Sequence, residues 1–203
     1  QLDSPAAETV AGSSATGSSA TGSAPPATPA PALPLGPDTL PRHYDTITSW
    51  PALEQWLARL RAAELFAFDT ETTGLDYMQA QIVGVSFCIE PGNAAYVPLA
   101  HDYAGAPEQL ERTRVLEALR PLLEDPSHAK LGAHLKFDMH ILANHGITLR
   151  GQRYDTMLES YLLNSTATRH DMDSMAEKYL GLRTIHFEDV AGKGAKQLTF
   201  NQV

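Results

Sequence analysis

The sequence predicts an α/β fold in which helices flank a mixed β-sheet, preceded by a disordered linker. Three extended apolar runs follow one another at residues 65–69, 81–90 and 94–100. The last two are joined by the turn sequence Pro91-Gly92-Asn93, so we expect them to form a hairpin of antiparallel strands. Helical runs then alternate with a further short strand. A sheet that starts with a hairpin and has helices packed on it is the simplest arrangement.

The linker is predicted from composition. Residues 4–36 consist almost entirely of Ser, Ala, Thr, Gly and Pro. Such a stretch buries too little apolar surface to offset the conformational entropy that it would lose on folding. We therefore predict a low-complexity linker over residues 1–42 and one folded domain over residues 43–203.

The helices are predicted from apolar spacing. Ser49 is expected to cap a helix whose apolar residues recur every three or four positions up to Leu60. A second helical run surrounds residues 110–122, where Pro121 is expected to kink or restart the last turn.

A short strand near residues 130–133 leads into a helix that begins near Leu135 and is stopped by Gly146. Two more helices fit residues 155–164 and 171–180.

Composition limits the possible functions. The net charge of −9 argues against nonspecific binding of duplex DNA. The negative charge is concentrated in residues 1–128, so the nearly balanced residues 129–203 are the surface expected to face nucleic acid. The single cysteine, Cys88, excludes an intramolecular disulfide and is expected to be an inert buried thiol. No apolar run approaches the roughly 18 residues of a membrane span, so we expect a cytoplasmic protein without a membrane partner.

Two acids at the end of a strand give the strongest chemical signal. Asp69 and Glu71 follow an apolar run at a spacing of two, which places both carboxylates on one side of the strand. Their mutual repulsion is relieved by a cation, and Mg²⁺ or Mn²⁺ prefers such oxygen ligands. Two solvated acids at an exposed strand end are the alternative. Gly74 is expected to allow a tight turn, after which Leu75 lies beside the acids.

Asp138 is a third candidate ligand. It lies in the first turn of the helix that begins near Leu135, where an acid can also simply complement the helix dipole. Other chemistry is not indicated, because the eight histidines lack metal-ligand spacing with cysteine and neither a Gly-rich phosphate loop nor a nucleophile elbow is present.

The string FAFDTETTGLD, residues 66–76, resembles the first motif of the DEDD exonucleases. The resemblance covers residues 44–203 and is to the proofreading 3′–5′ exonuclease domains of bacterial family A DNA polymerases, which have a ribonuclease H-like fold. It extends through LLED, KFD, ILANHGI, DTMLESYLLNS, RHDMDSMAEKYL and FEDVAGKGAKQLTFNQV.

The resemblance implies two-metal hydrolysis of the 3′-terminal phosphodiester in a frayed, single-stranded primer. Asp69 would bridge two Mg²⁺ ions, with Mn²⁺ as a possible substitute. Glu71 would bind the ion that carries the attacking water, and Asp138 would help to hold the second ion near the leaving oxygen.

The resemblance also implies a set of contacts with the DNA strand. Leu75 and Phe187 would pack on bases and Arg169 would bind a phosphate. By the residues alone, the first two are equally compatible with core positions and Arg169 with a surface ion pair. His134 and Phe137 stand where better-known members have Asn and Tyr, so an amide and a phenol are replaced. The full set of expected substrate contacts is Thr70, Thr72, Leu75, His134, Phe137, Arg169 and Phe187.

A third family motif supplies a Tyr and a fourth metal-binding Asp, which the resemblance implies about a dozen residues beyond Val203. We therefore expect a C-terminally truncated domain that hydrolyses little DNA by itself. The resemblance further implies a monomeric, nucleoid-associated bacterial protein with a polymerase domain in the same chain. Two alternatives stay open: a catalytically silent DNA-holding module, and a stand-alone exoribonuclease with the same motifs.

Overall fold

The computed structural model describes residues 41–203, which form a six-stranded mixed sheet with helices around it. The predicted linker therefore lies outside the described residues, except for its last two positions. The strands are β1 (His43–Thr46), β2 (Leu65–Thr72), β3 (Ile82–Glu90), β4 (Asn93–Pro98), β5 (Ala129–Gly132) and β6 (Gln152–Asp155). The helices are α1 (Trp50–Ala62), α2 (Arg112–Leu123), α3 (Leu135–Asn144), α4 (Thr156–Leu163), α5 (Met172–Met175) and α6 (Phe187–Ala191).

The strand order confirms the predicted mixed sheet. It runs β1-β4-β3-β2-β5-β6, and β3 is antiparallel to both of its neighbours, β2 and β4. Strands β5 and β6 add to β2 in parallel, and β1 adds in parallel to β4. The two edge strands, β1 and β6, were not predicted. Their sequences, HYDT and QRYD, lack apolar alternation, so they become strands only through pairing with a neighbour.

Helices α1 to α4 follow the predicted positions closely, whereas α6 was not predicted. Helix α1 buries Leu53, Trp56, Leu57 and Leu60 on one side. Helix α2 continues past Pro121 to Leu123. Helix α3 begins at Leu135 as predicted, and Gly146 follows it with φ 70°, a left-handed conformation that favours glycine. No helix in residues 41–203 combines the length and the apolar character that crossing a membrane requires.

Four local expectations need correction. Ser49 occupies the cap position of α1, but its side chain makes no capping hydrogen bond. The segment predicted as one helix over 171–180 changes at Ala176 from α-helix to π-helix. Cys88 is only partly buried, because it points to the more open face of β3. Gly74 does not adopt a positive φ, and the turn is instead closed by the Thr72 hydroxyl, which donates to the Gly74 carbonyl at 2.9 Å.

One face of the central strands forms the hydrophobic core. Phe68 of β2 lies opposite Phe87 of β3, which in turn lies opposite Ala95 of β4, and all three are buried. The apolar sides of α1, α2 and α3 belong to the same core cluster. Because side chains alternate along a strand, the neighbours of these core residues point to the opposite face. Asp69 and Glu71 of β2 are therefore directed away from the core.

Asp155 joins the starts of two helices at the end of β6. Its Oδ2 accepts a hydrogen bond from the Leu135 N–H at 2.9 Å, and its Oδ1 accepts one from the His134 N–H at 3.0 Å. Oδ1 also accepts from the Met157 and Leu158 N–H groups at the start of α4, at 3.1 and 3.3 Å. Helix N-termini leave such donors without partners, so one carboxylate satisfies both α3 and α4.

We predict that Asp155→Asn lowers the free energy of unfolding by about 2 kcal/mol, since a helix cap is worth roughly 1 kcal/mol and two helices are affected. The amide retains the size of the side chain but turns one acceptor into a donor that faces backbone N–H groups. Urea unfolding of the 203-residue chain measures the change. Glu111→Gln is the matched control, because Glu111 caps α2 alone through two backbone N–H groups. An equal loss in both variants would contradict the double cap.

Candidate active site

Strand β2 presents two acids on one face. Burial alternates along β2. Phe66, Phe68 and Thr70 are buried, whereas Asp69 and Glu71, at the alternate positions, are half-buried. The pairing of β2 with β3 shifts register between Glu71 and Thr72, so a β-bulge lies next to Glu71. Bulges occur often beside active sites because they redirect the side chains around them. The predicted placement of both carboxylates on one side of the strand is consistent with this burial pattern.

Asp138 reaches β2 from the first turn of α3. Its Oδ1 accepts hydrogen bonds from the Thr70 N–H at 2.9 Å and from the Thr70 hydroxyl at 2.6 Å. Strand β5 pairs with β2 only as far as Ala67, so the Thr70 N–H has no strand partner on that side and the carboxylate takes its place. Asp138 is 2% exposed. Asp138 lies in the first turn of α3, where it also complements the helix dipole, and it is fixed beside the residue that separates Asp69 from Glu71.

Burial raises the pKa of all three carboxyl groups, and the charge of Asp138 raises the pKa of Asp69 and Glu71 further. The pKa of Asp69 is raised to about 8, first by burial and then by the charges of Asp138 and Glu71. The pKa of Glu71 is raised by burial and then by the charge of Asp138. Burial also raises the pKa of Asp138, to about 6, although the hydrogen bonds from Thr70 oppose the rise. Negative charge is thus concentrated where little water can stabilise it.

These residues fit divalent metal ions by their donor chemistry. Carboxylate oxygens are the preferred protein ligands of Mg²⁺. A cation between the acids would stabilise the charged forms that burial disfavours and would offset the repulsion that acts on Asp69 and Glu71. Within residues 41–203, no group of three or more His, Cys, Asp or Glu side chains is already arranged to enclose a metal ion. The acids are therefore electrostatic neighbours rather than a closed cage.

The predicted substrate contacts near the acids have different environments. The backbone N–H and the hydroxyl of Thr70 both donate to Asp138, and Thr70 is buried. Leu75 is 91% exposed in the loop after β2, which excludes the alternative of a core residue. His134 is exposed, with φ 64°, and Phe137 is half-buried against the core.

The remaining predicted contacts lie in the C-terminal third. Arg169 is highly exposed, and its Nε lies 3.2 Å from Oδ2 of Asp171, so the surface ion pair considered as an alternative is present. Phe187, at the start of α6, is 40% exposed and stacks on Phe200 with a centroid separation of 6.0 Å. It is not a core residue either.

Sequence reasoning missed a tyrosine on the same face as the acids. Tyr96 of β4 lies opposite Ser86, and Ser86 lies opposite Asp69. The Tyr96 ring lies over Gly84, where a side chain would collide with it. An isolated glycine inside a strand indicates such a close approach, so Gly84 was the available signal.

Comparison with solved structures places the fold among nucleases and polymerases. Escherichia coli RNase D, an exoribonuclease involved in structured RNA processing, superposes with a TM-score of 0.54 at 23% identity, covering 79% of this chain and 39% of that chain. The structure of Pol1 from M. smegmatis in complex with DNA primer-template and dNTP superposes with a TM-score of 0.57 at 22% identity, covering 70% of this chain and 23% of that chain. At these identities the similarity establishes the fold alone.

Comparison of sequences is more specific. DNA polymerase I of Pseudomonas aeruginosa is 63% identical over 162 residues, which cover 79% of this chain and 18% of that protein. DNA polymerase I of Rhizobium leguminosarum is 42% identical over 177 residues, covering 79% of this chain and 17% of that protein. The chain thus spans less than a fifth of these relatives. A family model described as 3′–5′ exonuclease matches residues 44–203. The chain belongs to this family of 3′–5′ exonuclease domains found in DNA polymerase I.

Proposed function

We propose that this domain removes the 3′-terminal nucleotide from single-stranded or frayed primer DNA, as the proofreading part of a longer DNA polymerase. The observation that supports this most directly is the convergence of Asp69 and Glu71 of β2 with Asp138 of α3. Asp138 lies at least 67 positions after the other two acids in the sequence. The polymerase domain would be its partner in the same chain. Such a protein would act as a monomer in DNA replication and repair, in the bacterial cytoplasm at the nucleoid.

The proposed mechanism uses two divalent ions, Mg²⁺ or Mn²⁺. Asp69 would hold both ions, Glu71 the ion near the attacking water, and Asp138 the ion near the leaving oxygen. When bound, such a pair lowers the pKa of the water and neutralises charge that develops on the phosphate. The hydrogen bonds from Thr70 would keep Asp138 ionised and in place. Because the carboxylates accept protons readily without a cation, metal binding would be accompanied by proton release.

The DNA strand would be held by side chains around the acids. Leu75 and Phe187 are exposed apolar groups on which unpaired bases could stack. Arg169 would bind a backbone phosphate by exchanging its partner Asp171 for the substrate. Thr72, His134 and Phe137 would line the path to the acids, and Thr70 would act through Asp138.

We predict that Asp69→Ala in the full-length protein lowers the rate of 3′–5′ hydrolysis of single-stranded DNA by about 1,000-fold, the scale for loss of a preorganised electrostatic group. Polymerisation should be nearly unchanged. The assay follows a 5′-labelled DNA strand with Mg²⁺ present. Asp76→Ala is the control, because Asp76 lies in the exposed loop after β2 and bonds only within that loop.

Unchanged hydrolysis by the Asp69→Ala protein would refute the site. A labelled RNA strand should be included in the same assay. Cleavage of RNA without DNA would favour the exoribonuclease, and a folded wild-type protein that cleaves neither would favour the silent module.

We also predict a pH-dependent stability that metal abolishes. The folded-state pKa of Asp69 is raised from 3.8 to about 8, so the folded chain holds this proton more tightly than the unfolded chain between those values. With metal chelated, the stabilising contribution is complete below pH 3.8 and is lost as pH rises through about 8. Asp69→Asn should therefore reduce the loss of stability with rising pH, and this variant should be more stable than wild type at pH 8. Thermal unfolding in EDTA across this range measures both effects.

Addition of Mg²⁺ at pH 8 should raise the unfolding temperature of the wild-type chain and leave that of Asp69→Asn almost unchanged. At a hundred times the dissociation constant the gain is about 2.7 kcal/mol, or about 5 to 10 °C for a domain of this size. An equal rise in both proteins would show that Mg²⁺ binds elsewhere.

A further inference from the structure

A buried hydroxyl joins three segments of the C-terminal third. Ser160 of α4 is 3% exposed, and its Oγ lies 2.9 Å from Nδ1 of His170 in the loop before α5. The same Oγ lies 3.0 Å from the hydroxyl of Tyr179, which belongs to the π-helical turn Ala176–Leu180. Buried polar side chains linked in this way restrict the segments that carry them, because each lost contact leaves a buried polar group unpaired.

The direction of each hydrogen bond in this chain follows from its neighbours. Nε2 of His170 lies 3.1 Å from the Ser165 carbonyl, which can only accept, so Nε2 carries a proton. In the neutral imidazole Nδ1 is then an acceptor, and the Ser160 hydroxyl donates to it. Ser160 Oγ in turn accepts from the Tyr179 hydroxyl. Both ring nitrogens of His170 and the hydroxyl of Ser160 are therefore fully hydrogen-bonded.

His170 has a backbone conformation that needs such support. Its φ is 62°, in the left-handed region that residues with a side chain adopt uncommonly. Conformations of this kind persist only where the surroundings fix them, and they cluster at active sites and ligand-binding sites. His170 is 8% exposed, and Tyr161 packs against its ring with the centroids 5.4 Å apart. The buried imidazole thus fixes the backbone at residue 170.

The loop that leads to His170 is held at further points. Its start is closed by the Ala167 N–H, which donates to the Asn164 carbonyl at 3.1 Å. The Ala167 carbonyl accepts from Nζ of Lys178 at 3.2 Å. Lys178 precedes Tyr179 in the π-helical turn, so this turn contacts both the loop and the buried hydroxyl. The path of the loop is therefore determined by α4 and by this turn.

Arg169 directly precedes His170. Its side chain is 87% exposed, so packing does not orient it. Its Nε lies 3.2 Å from Oδ2 of Asp171, and Oδ1 of Asp171 accepts from the Ser174 N–H at 2.7 Å at the start of α5. The direction of the guanidinium group therefore depends on the backbone of residues 169–171, whose central residue is His170.

We propose that Ser160, His170 and Tyr179 are positioning residues that fix this backbone so that Arg169 meets a phosphate of the single-stranded DNA. This inference rests on the proposed function, which assigns Arg169 to a phosphate. The three residues act on binding of the strand and not on the acids, because their hydrogen bonds within residues 41–203 do not include Asp69, Glu71 or Asp138.

The test measures 3′–5′ hydrolysis of a 5′-labelled oligothymidylate by the full-length protein at several salt concentrations. Ser160→Ala should raise KM about fivefold and change kcat less than about twofold, since it weakens binding that substrate and transition state share. Arg169→Ala should raise KM about tenfold, the scale of a hydrogen bond to a charged group. The slope of log(kcat/KM) against log salt should become shallower in both variants, by about 0.7 in Arg169→Ala, since one phosphate contact to a single strand is lost.

Further variants separate positioning from a general structural effect. The double variant Ser160→Ala/Arg169→Ala should have the KM of Arg169→Ala alone, because Ser160 acts through the arginine. His170→Gly can adopt the left-handed conformation without strain but lacks the imidazole, so it should raise KM as Ser160→Ala does. Tyr179→Phe removes only the last hydroxyl of the chain and should raise KM about threefold.

Tyr161→Phe is the matched control. It removes a hydroxyl from another ring that packs against His170 and should leave KM and kcat unchanged. The inference is overturned if Ser160→Ala and His170→Gly keep the wild-type KM, or if Arg169→Ala does. It is also overturned if the effects of Ser160→Ala and Arg169→Ala multiply, or if Ser160→Ala lowers kcat as much as it raises KM. In each case hydrolysis by the wild type that Asp69→Ala abolishes would leave the proposed function standing, whereas a wild-type protein that hydrolyses no DNA would overturn both.

Discussion

The hydrogen bonds from Thr70 to Asp138 connect the two elements on which the site depends. Strand β2 extends beyond its parallel partner β5, and the chain has already turned from β5 into α3 at that point. At this exposed edge of β2, the Thr70 N–H therefore donates to a carboxylate instead of to another strand. This substitution brings an acid of α3 next to Asp69 and Glu71, and the charge density of the site follows from it.

The cost of this arrangement is electrostatic. Burial in a poorly hydrated region raises the pKa of Asp69 and of Asp138, and the charges of Asp138 and Glu71 raise the pKa of Asp69 further. Sites that bind cations or stabilise developing charge commonly destabilise the fold in the absence of their ligand.

Residues outside the three acids surround the site on two sides. On one side, Asp155 binds the N-terminus of α3 and so fixes the helix that bears Asp138. On the other, Tyr96 lies over Gly84 beside Glu71 and is held by His101. Both contacts come from segments without any obvious catalytic signature. Placement of a site to within a fraction of an ångström depends on such surrounding groups.

Local periodicity by itself determined much of this protein. The strands that form the hairpin, the start of α3 at Leu135, and the common side of Asp69 and Glu71 all follow from spacings of two or of three to four residues. The tertiary structure alone decided the polar edge strands β1 and β6, the choice of Thr70 as the partner of Asp138, and the approach of Tyr96 to the site. These features arise from pairing between segments distant in sequence, and neither residue type nor local spacing encodes which distant group will satisfy an unpaired N–H or fill the space over a glycine.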